Sequence, residues 1–182
     1  MKKTMIRYVA LLRGINVGGH KPVKMEGLKK SFEAVGFEKV KTVLASGNVL
    51  FESVESDEGV LVSKIGAHLK KDLGHEVGVL VRSMEEIQSL VERNPFKKIQ
   101  VTPETRLYVT FLSQKVKSKL KIPYETPEKD FRILSASERE VCSVLVLSPE
   151  RQTTELMNIV EKEFGKQVTT RNWNTVLRIS KG

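Results

Sequence analysis

Three times along this chain an apolar stripe at helical spacing runs into a glycine and then into a valine-bearing strand. The segments are Val35-Gly36-Phe37-Glu38-Lys39-Val40, Leu73-Gly74-His75-Glu76-Val77 and Phe164-Gly165-Lys166-Gln167-Val168. Glycine closes helices because it adopts the left-handed backbone conformation without steric cost. One helix-to-strand turn used three times fixes a chain that alternates between helices and short strands, and it points to internal duplication.

The first half follows that rule closely. Residues 5–12 form an apolar run read as a strand. Pro22 sets up a helix whose buried stripe is Met25, Leu28, Phe32 and Val35. Residues 40–45 and 49–51 are strands joined by the turn Ser46-Gly47-Asn48. Asp57 caps a second helix lined by Leu61, Ile65 and Leu69, Gly74 stops it, and residues 77–81 return as a strand. The order β-α-β-β-α-β is that of the ferredoxin-like unit.

Ser83-Met84-Glu85-Glu86 is a capping box that opens a further helix, and Asn94-Pro95 ends it. A second unit then begins. Residues 107–112 are a strand, 115–120 a short helix, 131–134 and 141–147 a hairpin around Ser137-Glu138-Arg139-Glu140. A helix from Ser148-Pro149 carries Leu156, Ile159, Val160 and Phe164 inside, and Val168 opens a last strand. The tail 171–176 is too polar for an ordinary strand. The expected fold is α+β: two ferredoxin-like units in tandem, with antiparallel sheets and helices on one face. The expected division is 1–82 for the first unit, 83–106 for a helix and linker, and 107–182 for the second unit.

Charge narrows the partners. Against 31 Lys and Arg stand 22 Asp and Glu, a formal net charge of +9 spread over both halves. Such an excess favours anionic small molecules or nucleic acid. Cys142 is the only cysteine, so no intrachain disulfide or thiolate metal site is available, and it lies in an apolar strand. No stretch reaches the roughly 18 apolar residues of a membrane span. The basic start Met1-Lys2-Lys3 leads into a short apolar run that ends at Arg13, unlike a signal peptide. A cytoplasmic protein without membrane partners is expected.

Chemistry concentrates in Arg13-Gly14-Ile15-Asn16-Val17-Gly18-Gly19-His20-Lys21. Glycines let backbone N–H groups approach a ligand, and the helix that follows offers its positive end. Arg13 adds a planar fork and Lys21 a point charge. The spacing of Gly14, Gly18 and Gly19 is not that of a dinucleotide loop, and no Gly-Lys-Ser/Thr sequence makes a triphosphate loop. Strands one and three of such a unit are antiparallel neighbours, so Ser46 and Asn48 fall near Arg13 and Asn16. A third polar cluster is Arg171-Asn172-Trp173-Asn174, with the only tryptophan. RNA-recognition motifs share the topology and stack bases on strands one and three. Tyr8 and Phe51 occupy those strands, but the ring-bearing signature of that family is not matched. His20, His68 and His75 form no ligand pair, so no metal site and no cofactor is expected.

Leu11-Leu12-Arg13-Gly14-Ile15-Asn16-Val17-Gly18-Gly19, Lys24-Met25, Gly36-Phe37, Ser46-Gly47-Asn48-Val49 and Asn94-Pro95-Phe96 together resemble the bacterial domain of unknown function 1697 family. The tail Thr170-Arg171-Asn172-Trp173-Asn174-Thr175-Val176 fits it as well. Ala45 stands where that family is expected to carry glutamine, and His20 where it has lysine or asparagine. The resemblance implies a two-part α/β protein and no particular reaction.

The residues thus predict binding of an anionic ligand, a nucleotide or nucleic-acid phosphate. The site set is Arg13, Asn16, Gly18, Gly19, His20, Lys21, Ser46, Asn48, Arg171, Asn172, Trp173 and Asn174. Two alternatives stand beside it. One is an enzyme acting on a phosphorylated or acidic small molecule with His20 as acid/base. The other is a structural or interaction protein without a ligand.

Overall fold

A computed structural model describes residues 4–16, 22–116, 118–149 and 153–182. Gly18, Gly19, His20 and Lys21 of the glycine-rich stretch lie outside the described residues. Among the described residues the fold is α+β, with two antiparallel sheets and five helices. The chain divides into two compact units, Met1–Ser89 with Leu177–Gly182, and Leu90–Val176.

The first unit contains β1 (Ile6–Arg13), α1 (Met25–Ala34), β2 (Glu38–Val43), β3 (Asn48–Ser53), α2 (Glu58–Leu73) and β4 (Gly78–Ser83). The sheet order is β2-β3-β1-β4, with β1 antiparallel to both β3 and β4. Tyr8, Ala10 and Leu12 of β1 pack with Val49, Phe51 and Val81 against Leu28 and Phe32 of α1 and Leu61, Ile65 and Leu69 of α2. Burying each large apolar side chain of this kind contributes about 1.5–3 kcal/mol.

Local signals explain the boundaries. Asp57 accepts from the N–H groups of Gly59 and Val60, which would otherwise be orphaned in the first turn of α2. Gly74 ends that helix at φ +76°. Gly36 and Gly165 have φ of +96° and +89°, so all three glycines of the repeated turn are left-handed. The Ser83 hydroxyl accepts from Glu86 N–H while the Glu86 carboxylate accepts from Ser83 N–H, the reciprocal capping box that opens α3 (Met84–Arg93).

Tyr8 and Phe51 are not a base-stacking platform: they are buried, stack on each other with centroids 5.6 Å apart, and belong to the core under α1 and α2. The opposite face is not open either. Val9, Leu11 and Leu50 on it are buried, and Gly182 lies against the Leu50 side chain, with its carbonyl accepting from Arg7 at 3.1 Å. That is why residues 8–12 read as a continuous apolar run rather than an alternating one.

The second unit is built on β5 (Thr105–Leu112), β6 (Tyr124–Glu125), β7 (Phe131–Ala136), β8 (Glu140–Val146), α4 (Thr153–Phe164) and β9 (Val168–Asn172), followed by α5 (Trp173–Ser180). Its sheet order is β6-β7-β8-β5-β9. Leu112, Phe131, Ile133, Val141, Leu145, Val160, Phe164 and Val168 form the core. The side chain of Leu156, expected inside, lies outside the described residues.

The helix expected over 115–120 is absent among the described residues. Its sequence places Lys115 four residues before Lys119, and Lys117 four before Lys121, like-charge pairs that oppose a helix. The segment is held from α4 instead. The Glu163 carboxylate accepts from the Ser118 hydroxyl at 2.8 Å and from the N–H groups of Lys119 and Leu120. The tail also differs from expectation. Arg171 and Asn172 do belong to a strand, because β9 pairs with β5 through Val109↔Arg171 and Tyr108↔Asn172.

Candidate functional site

The polar residues of the first unit do converge as the strand pairing requires. Leu11 lies opposite Asn48 in the β1–β3 ladder, and the N–H of Leu12 donates to the carbonyl of Gly47 at 2.8 Å. The turn Ser46-Gly47-Asn48 therefore sits at the end of β1 where Arg13, Gly14, Ile15 and Asn16 follow.

Their hydrogen bonds, however, point inward to the chain itself. Asn48 is fully buried, and its Nδ2 donates to the Val43 carbonyl at 2.8 Å and to Ser46 Oγ at 3.0 Å. Asn16 stands in the left-handed region at φ +58°. Its Oδ1 accepts from Val23 N–H at 2.6 Å, and its Nδ2 donates to the carbonyls of Val23 and Ala45, both at 3.2 Å. Asn16 thereby ties the start of α1 to the β2–β3 turn across the glycine-rich stretch. The two amides fix loop geometry, which the sequence alone did not distinguish from ligand contact. Arg13 is exposed and lies opposite Gly78 in β4, where an added Cβ would come within 3.0 Å of the Arg13 Cβ.

Beyond Asn16 and Val23 opens a cavity of about 520 Å³ between the start of α1 and the end of α2. Pro22, Lys24, Gly27, Ser31, Asp72 and His75 are on its walls. Lys24 is the N-cap residue of α1, and among the described residues no side chain makes a capping bond there. Gly27, one turn in, leaves open space: an added Cβ would meet nothing within 4 Å. The opposite wall is acidic. Asp72 accepts from the Ser31 hydroxyl and pairs with His68 Nε2 at 3.5 Å. His75 Nδ1 is 3.2 Å from the Leu73 carbonyl.

Asp72 is the hub of this cluster, touching both Ser31 and His68. In a nucleophilic triad the histidine must stand between the other two to take the hydroxyl proton, so these three residues are not one. The site set expected from the sequence does not include Lys24, Asp72 or His75. Their convergence follows from topology: two helices packed antiparallel on one sheet face place the first turn of α1 beside the last turn of α2.

In the second unit, Trp173 is 8% exposed and meets Phe96 edge-on, with ring centroids 5.1 Å apart. Asn172 is spent as a helix cap: its Oδ1 accepts from the N–H and the hydroxyl of Thr175 at 2.8 and 2.9 Å. Arg171 donates to the Thr170 carbonyl at 3.0 Å, and burial pulls its pKa down to about 10. Asn174 is exposed. Cys142 is buried in β8, and that burial pushes its thiol pKa up to about 11, the reverse of a reactive cysteine. Among the described residues no group of three or more His, Cys, Asp or Glu is placed to hold a metal ion, and no helix is long and apolar enough to cross a membrane.

These features define a two-unit α+β protein with a cavity between its first two helices. The chain belongs to the family described as Protein of unknown function (DUF1697), whose profile matches residues 5–142. The tail Arg171-Asn172-Trp173-Asn174 lies beyond that match. A conserved bacterial protein, SP0830 from Streptococcus pneumoniae, has a similar structure, with a TM-score of 0.72 and 23% identity over 98% of each chain. That likeness concerns the fold alone. No curated protein matches the sequence.

Proposed function

We propose that this protein binds a small anionic molecule at the start of α1. The observation that carries the reading is the cavity of about 520 Å³ beside a helix start that no side chain among the described residues caps. A helix N-terminus carries about half a positive charge on N–H groups that lack intrahelical partners. Lys24 adds a full charge, and Gly27 leaves room for a ligand to approach. In the sequence, residues 13–21 precede this helix and carry Arg13, Gly18, Gly19, His20 and Lys21. In this reading Asn16, Ser46 and Asn48 hold the frame, and the ligand contacts move to Lys24 and the first turn of α1. Asp72 and the end of α2 on the far wall favour a ligand that also carries hydroxyl or amino donors.

The same reading takes both units as ferredoxin-like. The order β7-β8-β5-β9 repeats β2-β3-β1-β4, with a loop and the added β6 in place of the first crossover helix. Duplication of one unit, with only the first keeping the glycine-rich crossover, accounts for a single site of this kind.

Thermal unfolding with sodium phosphate or pyrophosphate, against sodium chloride at equal ionic strength, tests the proposal. At a hundredfold excess over Kd a ligand stabilises by about 2.7 kcal/mol. For a chain of this size that is a rise of several degrees, on the order of 5–10 °C. Lys24→Ala should reduce the rise. Identical unfolding curves in phosphate, pyrophosphate and chloride argue against an anion site.

A further inference from the structure

The side-chain amides of Asn94 and Asn174 make no hydrogen bond among the described residues, yet both face one cavity of about 520 Å³ in the second unit. Asn94 is also held at φ +39°, an uncommon conformation for a residue other than glycine. Its backbone is fully used: its N–H donates to the carbonyls of Leu90 and Val91, and its carbonyl accepts from Lys97. Only the side chain is left over. Phe96 and Trp173 contribute an aromatic edge pair to the lining, and Leu107 adds an aliphatic wall.

Arg106 completes the chemistry. Among the described residues its hydrogen bonds run from one terminal nitrogen, to the carbonyls of Pro103 at 2.7 Å and Thr105 at 3.0 Å. A guanidinium has five donors in a fixed fork, so its other edge is available to an anion. Among the described residues no Asp or Glu lines this cavity, in contrast to the first unit, where Asp72 does. An apolar floor with a few convergent polar groups in several hundred Å³ is the make-up of a small-molecule site.

We propose that this second cavity binds a mononucleotide. Each carboxamide offers one acceptor and two donors, which match the mixed donor and acceptor edge of a planar base. The aromatic and aliphatic floor takes the face of the ring, and Arg106 takes the phosphate. This site is independent of the anion site proposed on the first unit.

Trp173 is the only tryptophan in the chain, so its fluorescence reports on this cavity. The full-length protein is titrated with AMP, GMP, CMP and UMP at constant ionic strength, with correction for nucleotide absorbance. At least one should give a saturable change. Asn174 is exposed in the first turn of α5, so Asn174→Ala is expected to fold, which the unliganded unfolding curve checks. It should weaken the nucleotide about tenfold. Arg106→Gln should weaken the nucleotide but leave the matching nucleoside unchanged, and ribose 5-phosphate should bind less well than the nucleotide. The proposal is overturned if no nucleotide gives a saturable change up to about 10 mM, well beyond ordinary metabolite affinities. It is also overturned if folded Asn174→Ala binds like wild type, or if ribose 5-phosphate binds as tightly as the nucleotides. Lys24→Ala should leave this signal unchanged, which separates the two sites.

Discussion

The N–H of Leu12 donates to the carbonyl of Gly47 across 2.8 Å, clamping the β2–β3 turn onto the end of β1. Gly47 makes that approach possible in two ways. Its φ is +79°, and a Cβ there would sit 3.1 Å from the Leu12 Cβ and 3.3 Å from the Ile15 Cβ. Gly47→Ala should therefore destabilise the protein by roughly 1–3 kcal/mol, from backbone strain and overpacking together. Urea denaturation measures it. A variant as stable as wild type would mean that the turn relaxes away from β1 at little cost.

Glu163 offers a test of the segment that replaced the expected helix. Burial works to raise its pKa, but the Ser118 hydroxyl and the N–H groups of Lys119 and Leu120 outweigh it, and the carboxyl lies below its ordinary value. A carboxylate with a lowered folded-state pKa contributes stability above its unfolded value, near 4.3, and loses it as pH falls through the lowered value. Glu163→Ala should cost roughly 1 kcal/mol at neutral pH. The difference between variant and wild type should shrink as acid is added. A difference that stays constant from pH 7 to about pH 3 contradicts this assignment.

Cys142 titrates in the other direction. Burial comes first among the causes that lift its thiol to about 11, ahead of the lowering by a hydrogen bond with Ser135 and the raising by Glu140. An acid with a raised folded-state pKa contributes stability in full below its unfolded value, near 8.5, and loses it as pH rises through about 11. Native protein at neutral pH should thus resist a disulfide reagent such as DTNB, and urea-unfolded protein should react at once. Cys142→Ala should flatten the fall in stability between these two pH values. Rapid labelling of the native state would show that β8 opens locally.

Much of the first unit was legible because its signals are local. Asp57, Gly74 and the Ser83–Glu86 pair act within a few residues of their own helix ends. The meeting of Ser46-Gly47-Asn48 with Arg13 and Asn16 was legible from antiparallel pairing alone. What the amides do there was not. Asparagine at a loop reads the same whether it holds a ligand or the chain, and Asn16 and Asn48 hold the chain.

The second unit misled in two places where a local pattern competes with charge or with distant pairing. Val116 and Leu120 have helical spacing, but lysines at every other position and the reach of Glu163 win. Arg171 and Asn172 look too polar for a strand, yet β5 supplies their ladder, and Asn172 then caps α5 through Thr175. The cavity beside Lys24 was missed for a third reason. It needs two helix ends from distant parts of the sequence, and no local pattern in either one shows that they meet.

Gly27→Leu tests the central claim most directly. The residue is inside α1, where leucine is favoured over glycine by close to 1 kcal/mol, and the new Cβ meets nothing within 4 Å. The larger side chain should fill the cavity without harming the fold. The measurement is the phosphate- and pyrophosphate-induced shift in Tm for wild type and variant, side by side. The expected result is an unliganded Tm equal to or above that of wild type, with the anion shift abolished. A full anion shift in Gly27→Leu would contradict a ligand site at the start of α1.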